Sequence, residues 1–112
     1  MEYDSIHVVL MDEATSFVRA QARKVQEKIT YNLRKVELGI KDSNLFKKID
    51  GSEIWEFRVL YYGNCYRLFS FWDKKTGNLI VVTHGTVKKS QKTAPKEIRK
   101  AEEIRRKYYE EK

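Results

Sequence analysis

The most restrictive feature of this sequence is a change of hydrophobic period near its middle. From Val18 the apolar positions Ala22, Val25, Ile29, Leu33, Val36 and Ile40 recur at steps of three or four, whereas from Ile54 to His84 apolar and polar residues follow the shorter period of strands. The first stretch reads as one long amphipathic helix or two consecutive ones, begun near Asp12, Glu13 and Thr15 and stopped by Gly39. Ahead of it, Ile6, His7, Val8, Val9 and Leu10 form a β-rich run that reads as a first strand. Lys41 to Gly51 reads as a polar connection with Leu45, Phe46 and Ile49 against the core. The second stretch divides into strands Ile54–Tyr61, Cys65–Trp72 and Leu79–His84, joined by turns at Gly63-Asn64 and Asp73 to Asn78. A basic loop, Thr86 to Thr93, follows, and Pro95 opens a surface helix with Ile98, Ala101, Ile104 and Tyr108 on one stripe. The expected class is α+β: an antiparallel sheet of an N-terminal strand and a three-strand meander, packed on N-terminal helices, with a C-terminal helix.

A length of 112 residues suits a single domain over 1–112, and 41% apolar residues suffice for its core despite 35% charged ones. The one cysteine, Cys65, excludes an intrachain disulfide framework and a multi-cysteine zinc site, which suggests a reducing compartment. Glu2 and Asp4 stand where a signal peptide carries positive charge, and no apolar run approaches the ~18 residues of a membrane span. A cytoplasmic protein without a membrane partner is the expectation. Metal-ligand constellations, phosphate-binding glycine loops and nucleophile elbows are not apparent, so no cofactor is expected.

The formal net charge of +7 has a location. Residues 1–73 carry 11 Lys/Arg and 11 Asp/Glu, and residues 74–112 carry 12 and 5, so the whole excess lies in the last third. Six lysines and no acid fall between Lys74 and Lys96. Such a run attracts polyanions or an acidic protein, or is simply a solvated loop.

Strand alternation places Trp55, Phe57, Val59 and Tyr61 on the core face and Ile54, Glu56, Arg58 and Leu60 on the other. If Tyr62-Gly63 is the turn, Arg58 lies opposite Arg67; if Gly63-Asn64 is, the two are diagonal. Both registers put the arginines on one face. Like charges facing each other destabilise a sheet, so something must offset them. One reading is a cross-strand ion pair with Glu56; the other is an anion cleft in which planar guanidinium groups hold a phosphate. His84, Lys88, Lys89 and Lys92 follow in the same small sheet and its loop, while His7 reads as structural. Tyr61, Tyr62 and Tyr66 are core residues or stacking platforms for bases.

The segments Ile54-Trp-Glu-Phe-Arg58, Tyr66-Arg67-Leu-Phe, His84-Gly-Thr-Val-Lys88-Lys89 and Lys92-Thr-Ala-Pro95-Lys-Glu-Ile98, with Ala101, resemble the RelE/ParE toxin superfamily, in particular its HigB-like, phage-derived branch. The resemblance covers most of the chain and its element order. It implies a small RelE-like fold and the toxin of a type II toxin–antitoxin pair, many of which cleave mRNA at the ribosomal decoding site without a metal. It also implies a cognate antitoxin, usually a helix-turn-helix protein, with mRNA and the ribosome as further partners. Residue by residue, it places Arg58 and Arg67 at basic positions of two strand motifs, Lys88 or Lys89 at the basic position after the last strand, and His84 at the histidine of the HigB-like branch. The expected catalytic set is Arg58, Arg67, His84 and Lys89, with Lys88, Lys92 and Lys96 binding RNA. Glu56 departs from relatives that carry lysine there, and neither Tyr108 nor Tyr109 matches the RelE-type catalytic tyrosine securely. Two other functions fit the same sequence: a ParE-like inhibitor of DNA gyrase, and a nucleic-acid-binding protein without chemistry.

Overall fold

The computed structural model describes residues 5–89 and 92–111; the readings of Met1 to Asp4, and of Ser90 and Gln91 in the basic loop, lie outside them. The elements are β1 (His7–Leu10), α1 (Asp12–Arg19), α2 (Arg23–Glu37), β2 (Phe46–Lys48), β3 (Trp55–Tyr61), β4 (Asn64–Asp73), β5 (Leu79–Lys88) and α3 (Pro95–Glu110). The class is α+β, as expected. The amphipathic stripe is divided between two helices, with Val18 in α1 and the buried side chains Val25, Ile29, Leu33 and Val36 in α2. Each such side chain contributes about 1.5–3 kcal/mol by leaving water. Between the helices, Gln26 Nε2 donates to the Gln21 carbonyl at 2.8 Å and stitches the bend. Gly39, at φ +83°, ends α2: its N–H donates to the Val36 carbonyl and that of Ile40 to the Lys35 carbonyl, satisfying the last helical acceptors.

The sheet order is β1-β5-β4-β3-β2. It departs from a purely antiparallel sheet in one pair, because β1 runs parallel to β5, with His7 opposite Leu79 and Leu10 opposite Val82. The α1–α2 excursion and the meander between them deliver the last strand beside the first in the same direction. A further strand, β2, lies in what reads from sequence as a connection: Phe46–Lys48 pairs antiparallel with Phe57–Trp55. Three residues are too few to show a period. β5 also runs four residues beyond His84, because the ten-residue β4 continues to offer it ladder partners up to Cys65 opposite Lys88.

The β3–β4 turn is Tyr62-Gly63, since Tyr61 pairs with Asn64, and both turn residues have positive φ (47° and 79°). That conformation matches the right-handed twist of the strands it joins. Helices cover both faces of the sheet. On one face Phe57, Val59, Leu68, Ile80 and Val82 pack on α2 and α1, and on the other Ile54, Phe69, Phe71 and Val81 pack on Ala101 of α3. Trp55 and Tyr61, on the expected core face, are only partly buried. At its far end α3 is fastened to the sheet by Tyr108, whose hydroxyl donates to Asp73 Oδ2 at 2.6 Å, and by Tyr109, whose hydroxyl donates to the Trp72 carbonyl at 3.1 Å. Among the described residues no helix is long and apolar enough to cross a membrane.

Candidate functional site

On the α3 face, strand register arranges side chains in rows. Glu56, Phe69 and His84 form one row across β3, β4 and β5; Arg58, Arg67 and Thr86 form the next; Leu60, Cys65 and Lys88 form a third. Of the two registers open to the sequence, the structure has the one with Arg58 directly opposite Arg67. The offset is Glu56. Its Oε2 lies 3.0 Å from Arg67 Nε and its Oε1 lies 3.8 Å from Arg58 Nε, so one carboxylate bridges both cations. Thr93, just before α3, donates its hydroxyl to Glu56 Oε2 at 2.5 Å and fastens the basic loop to the same group. Glu56 and Arg67 are 2% and 1% exposed, and in such surroundings an ion pair is retained only where its hydrogen bonds are well made.

Arg58 differs from Arg67. It is half-buried and opens onto a cleft of about 360 Å³ lined by Lys47, Lys48, Ile49, Asp50, Glu56, Thr93 and Ile98. Lys47 stands directly opposite Glu56 on β2 and adds a cation that sequence reading did not place, since β2 itself was not legible. The cleft therefore has two lysines of a short edge strand and the exposed Asp50 carboxylate in its lining, an arginine in its wall and a second arginine behind the bridging carboxylate. This arrangement can accept a phosphate at Arg58 with Lys47 beside it.

His84 lies inside the molecule, 1% exposed, with its ring stacked on Phe69 (centroids 5.0 Å apart, 21° between planes). Its Nε2 is 3.0 Å from Glu97 Oε1 on α3 and its Nδ1 is 2.9 Å from Thr83 Oγ1. Thr83 is the extra residue of a bulge that separates the pairs Phe69–His84 and Ser70–Val82. Burial pushes the His84 pKa below its ordinary 6.5, partly opposed by the hydrogen bond to Glu97. The neutral imidazole then holds α3 to β5. Glu97 belongs to the segment Lys92–Ile98, but only the packing of α3 pairs it with His84.

The structure brings Arg58, Arg67 and Thr93 together around Glu56. Lys88 is half-buried in the last rung of β5, opposite Cys65 rather than in a loop. Lys89 and Lys92 are exposed around the loop, and Lys96 is exposed in the first turn of α3. Tyr108 and Tyr109 contact Asp73 and Trp72, and Asp73 stands six residues along β4 from Arg67, about 20 Å at 3.3 Å per residue.

Residues 16–106, which include every residue of the cleft and all the elements from α2 to β5, match the model of the phage-derived Gp49-like protein family (DUF891). None of the curated proteins matches the chain. The match spans most of the sequence and the α+β architecture fits a RelE-like fold, so the chain belongs to the Gp49-like phage-derived family, a family of RelE-like toxins of toxin–antitoxin systems.

Proposed function

We propose that this protein is the toxin of a type II pair of the HigB-like kind and that it cleaves mRNA without a metal, on the ribosome. The observation that carries the reading is the Arg58 cleft: two arginines on adjacent strands, joined by one buried carboxylate and rimmed by Lys47. In the proposed reaction a ribose 2′-oxygen attacks the neighbouring phosphorus while its proton passes to a base. The bond from phosphorus to the 5′-oxygen breaks and that oxygen takes a proton, leaving a 2′,3′-cyclic phosphate and a 5′-hydroxyl. Arg58 meets the charge that grows on the non-bridging oxygens, and Arg67 acts behind it through Glu56. Lys88, Lys89, Lys92 and Lys96 hold the flanking backbone.

Two groups compete for the proton transfers. Glu56 lines the cleft beside Arg58 but is 2% exposed and held by Arg67 and Thr93, and acts only if one of those contacts gives way. His84 stands two strands away behind Phe69, and acts only if its contact with Glu97 gives way. Arg58→Ala is expected to lower the cleavage rate on programmed ribosomes by about 10²–10³-fold. Glu56→Gln removes the acidic limb of the pH–rate profile if Glu56 is the base; loss of that limb in His84→Gln instead assigns it to His84. Wild-type turnover in Arg58→Ala contradicts the site.

The burial of Arg67 and His84 favours a second reading, a toxin that binds without chemistry. It predicts no cleavage with or without ribosomes, and either a block of DNA supercoiling by gyrase or RNA binding that weakens steeply with salt. The cognate antitoxin is expected to be a helix-turn-helix protein encoded next to this chain, and induction of the toxin alone is expected to arrest growth.

A further inference from the structure

On the other side of β2 from the Arg58 cleft lies a second, larger cavity of about 660 Å³, to which the proposed chemistry assigns nothing. Its lining is mainly apolar: Ile6, Val36, Ile40, Phe46, Trp55 and Trp72. Phe46 stacks on Trp55 with centroids 4.9 Å apart, and Trp72 meets both rings edge-on at 6.5 and 6.3 Å. The patch continues onto solvent at the end of α2, where Leu38 is 66% and Ile40 46% exposed. Large aliphatic side chains left open beside an aromatic cavity mark a surface built to be covered.

The rim says by what. Lys41, Lys47 and Lys48 border the cavity, and the single carboxylate among them, Asp42, is occupied locally by the Asn44 N–H at 2.9 Å. Lys48 lies 4.0 Å from Glu53, a weak and exposed contact. Lys47 and Lys48 border the Arg58 cleft as well, so β2 is a narrow cationic ridge between the two cavities.

We propose that this groove is the docking site for an acidic amphipathic segment of a partner protein, with apolar anchors seated against Trp55, Trp72 and Ile40 and carboxylates over the lysine rim. Apolar anchors supply the affinity and the acidic flanks the orientation and rate of encounter. A segment seated there places its carboxylates at the ridge and closes the approach to Arg58 without entering the cleft. That consequence rests on the toxin reading; the docking itself does not.

The test uses a displayed library of random peptides panned on the whole protein, with Ile40→Glu as the counter-target. Ile40 is exposed and outside the helix, so the variant is expected to keep the wild-type circular dichroism. Selected peptides are expected to combine Leu, Ile, Phe or Trp with Asp and Glu, to shift tryptophan fluorescence on binding, and to lose at least tenfold in affinity on Ile40→Glu and on Lys48→Glu. Recovery of nothing, of peptides without acidic residues, or of binders indifferent to Ile40→Glu overturns the proposal. So does a concentration-dependent dimer abolished by Ile40→Glu, which assigns the groove to a second copy, or an RNA oligonucleotide whose binding is lost in that variant. RNA cleavage by Ile40→Glu is expected to equal that of wild type, so a toxin that fails to cleave and a groove that fails to bind are separate results.

Discussion

Glu56 is the residue on which the arginine pair depends. Removing its carboxylate takes away the anion that bridges Arg58 and the 1% exposed Arg67, and Glu56→Ala is expected to lose about 3–5 kcal/mol of unfolding free energy in a denaturant titration. The same argument makes Arg67→Ala a stability variant as much as a functional one, so the half-buried Arg58 is the better probe of the site. His84 carries a pH signature. Its pKa is lowered from 6.5 by burial, so as pH falls below about 6.5 the unfolded chain takes up a proton that the folded chain refuses. Stability therefore declines with falling pH until the folded imidazole is protonated too, and is full above 6.5. Denaturant midpoints between pH 7.5 and 5 are expected to show this slope in the wild type and a flatter one in His84→Gln. The common face of Arg58 and Arg67 was legible from alternation alone. That Arg67 and His84 are sealed was not, because it depends on α3 covering that face.

At the level of elements, the β3–β4 hairpin holds a local conflict. Tyr62 occupies a turn position with φ 47°, which suits asparagine or glycine, and the residue is 87% exposed. Tyr62→Asn is expected to raise stability by about 0.5–1 kcal/mol, measured by thermal unfolding, and a loss would show that the Tyr61–Tyr62 ring contact outweighs the backbone. Gly85 has the opposite character: a Cβ there meets Phe17 Cε2 of α1 at 2.7 Å. Gly85→Ala is expected to cost about 1–3 kcal/mol through displacement of α1 from β5. The stripe of α2 and the three long strands were readable because their period repeats; β2 and the last rungs of β5 exist because a neighbouring strand offers hydrogen bonds to them.

For the whole molecule, the order β1-β5-β4-β3-β2 with helices on both faces decides which charges share a surface. Lys88 lies one row from Arg58 and Arg67 at the end of β5, and Lys89, Lys92 and Lys96 follow between there and the start of α3. If they contact RNA phosphates, replacing each by alanine is expected to reduce the slope of log affinity against log salt by about 0.7, the value for a single strand, without changing sequence preference. Filter binding from 50 to 300 mM salt measures it; a slope equal to that of the wild type removes that lysine from the interface. The sequence by itself determined the α+β class, the helical and strand periods, the shared arginine face and the placing of net charge in the last third, since these follow from periodicity and local turn chemistry. The tertiary structure alone decided the parallel β1–β5 pair, the bridging role of Glu56, the burial of His84 under Glu97 and the cationic β2 ridge, because each joins residues distant in sequence through packing that no local pattern encodes.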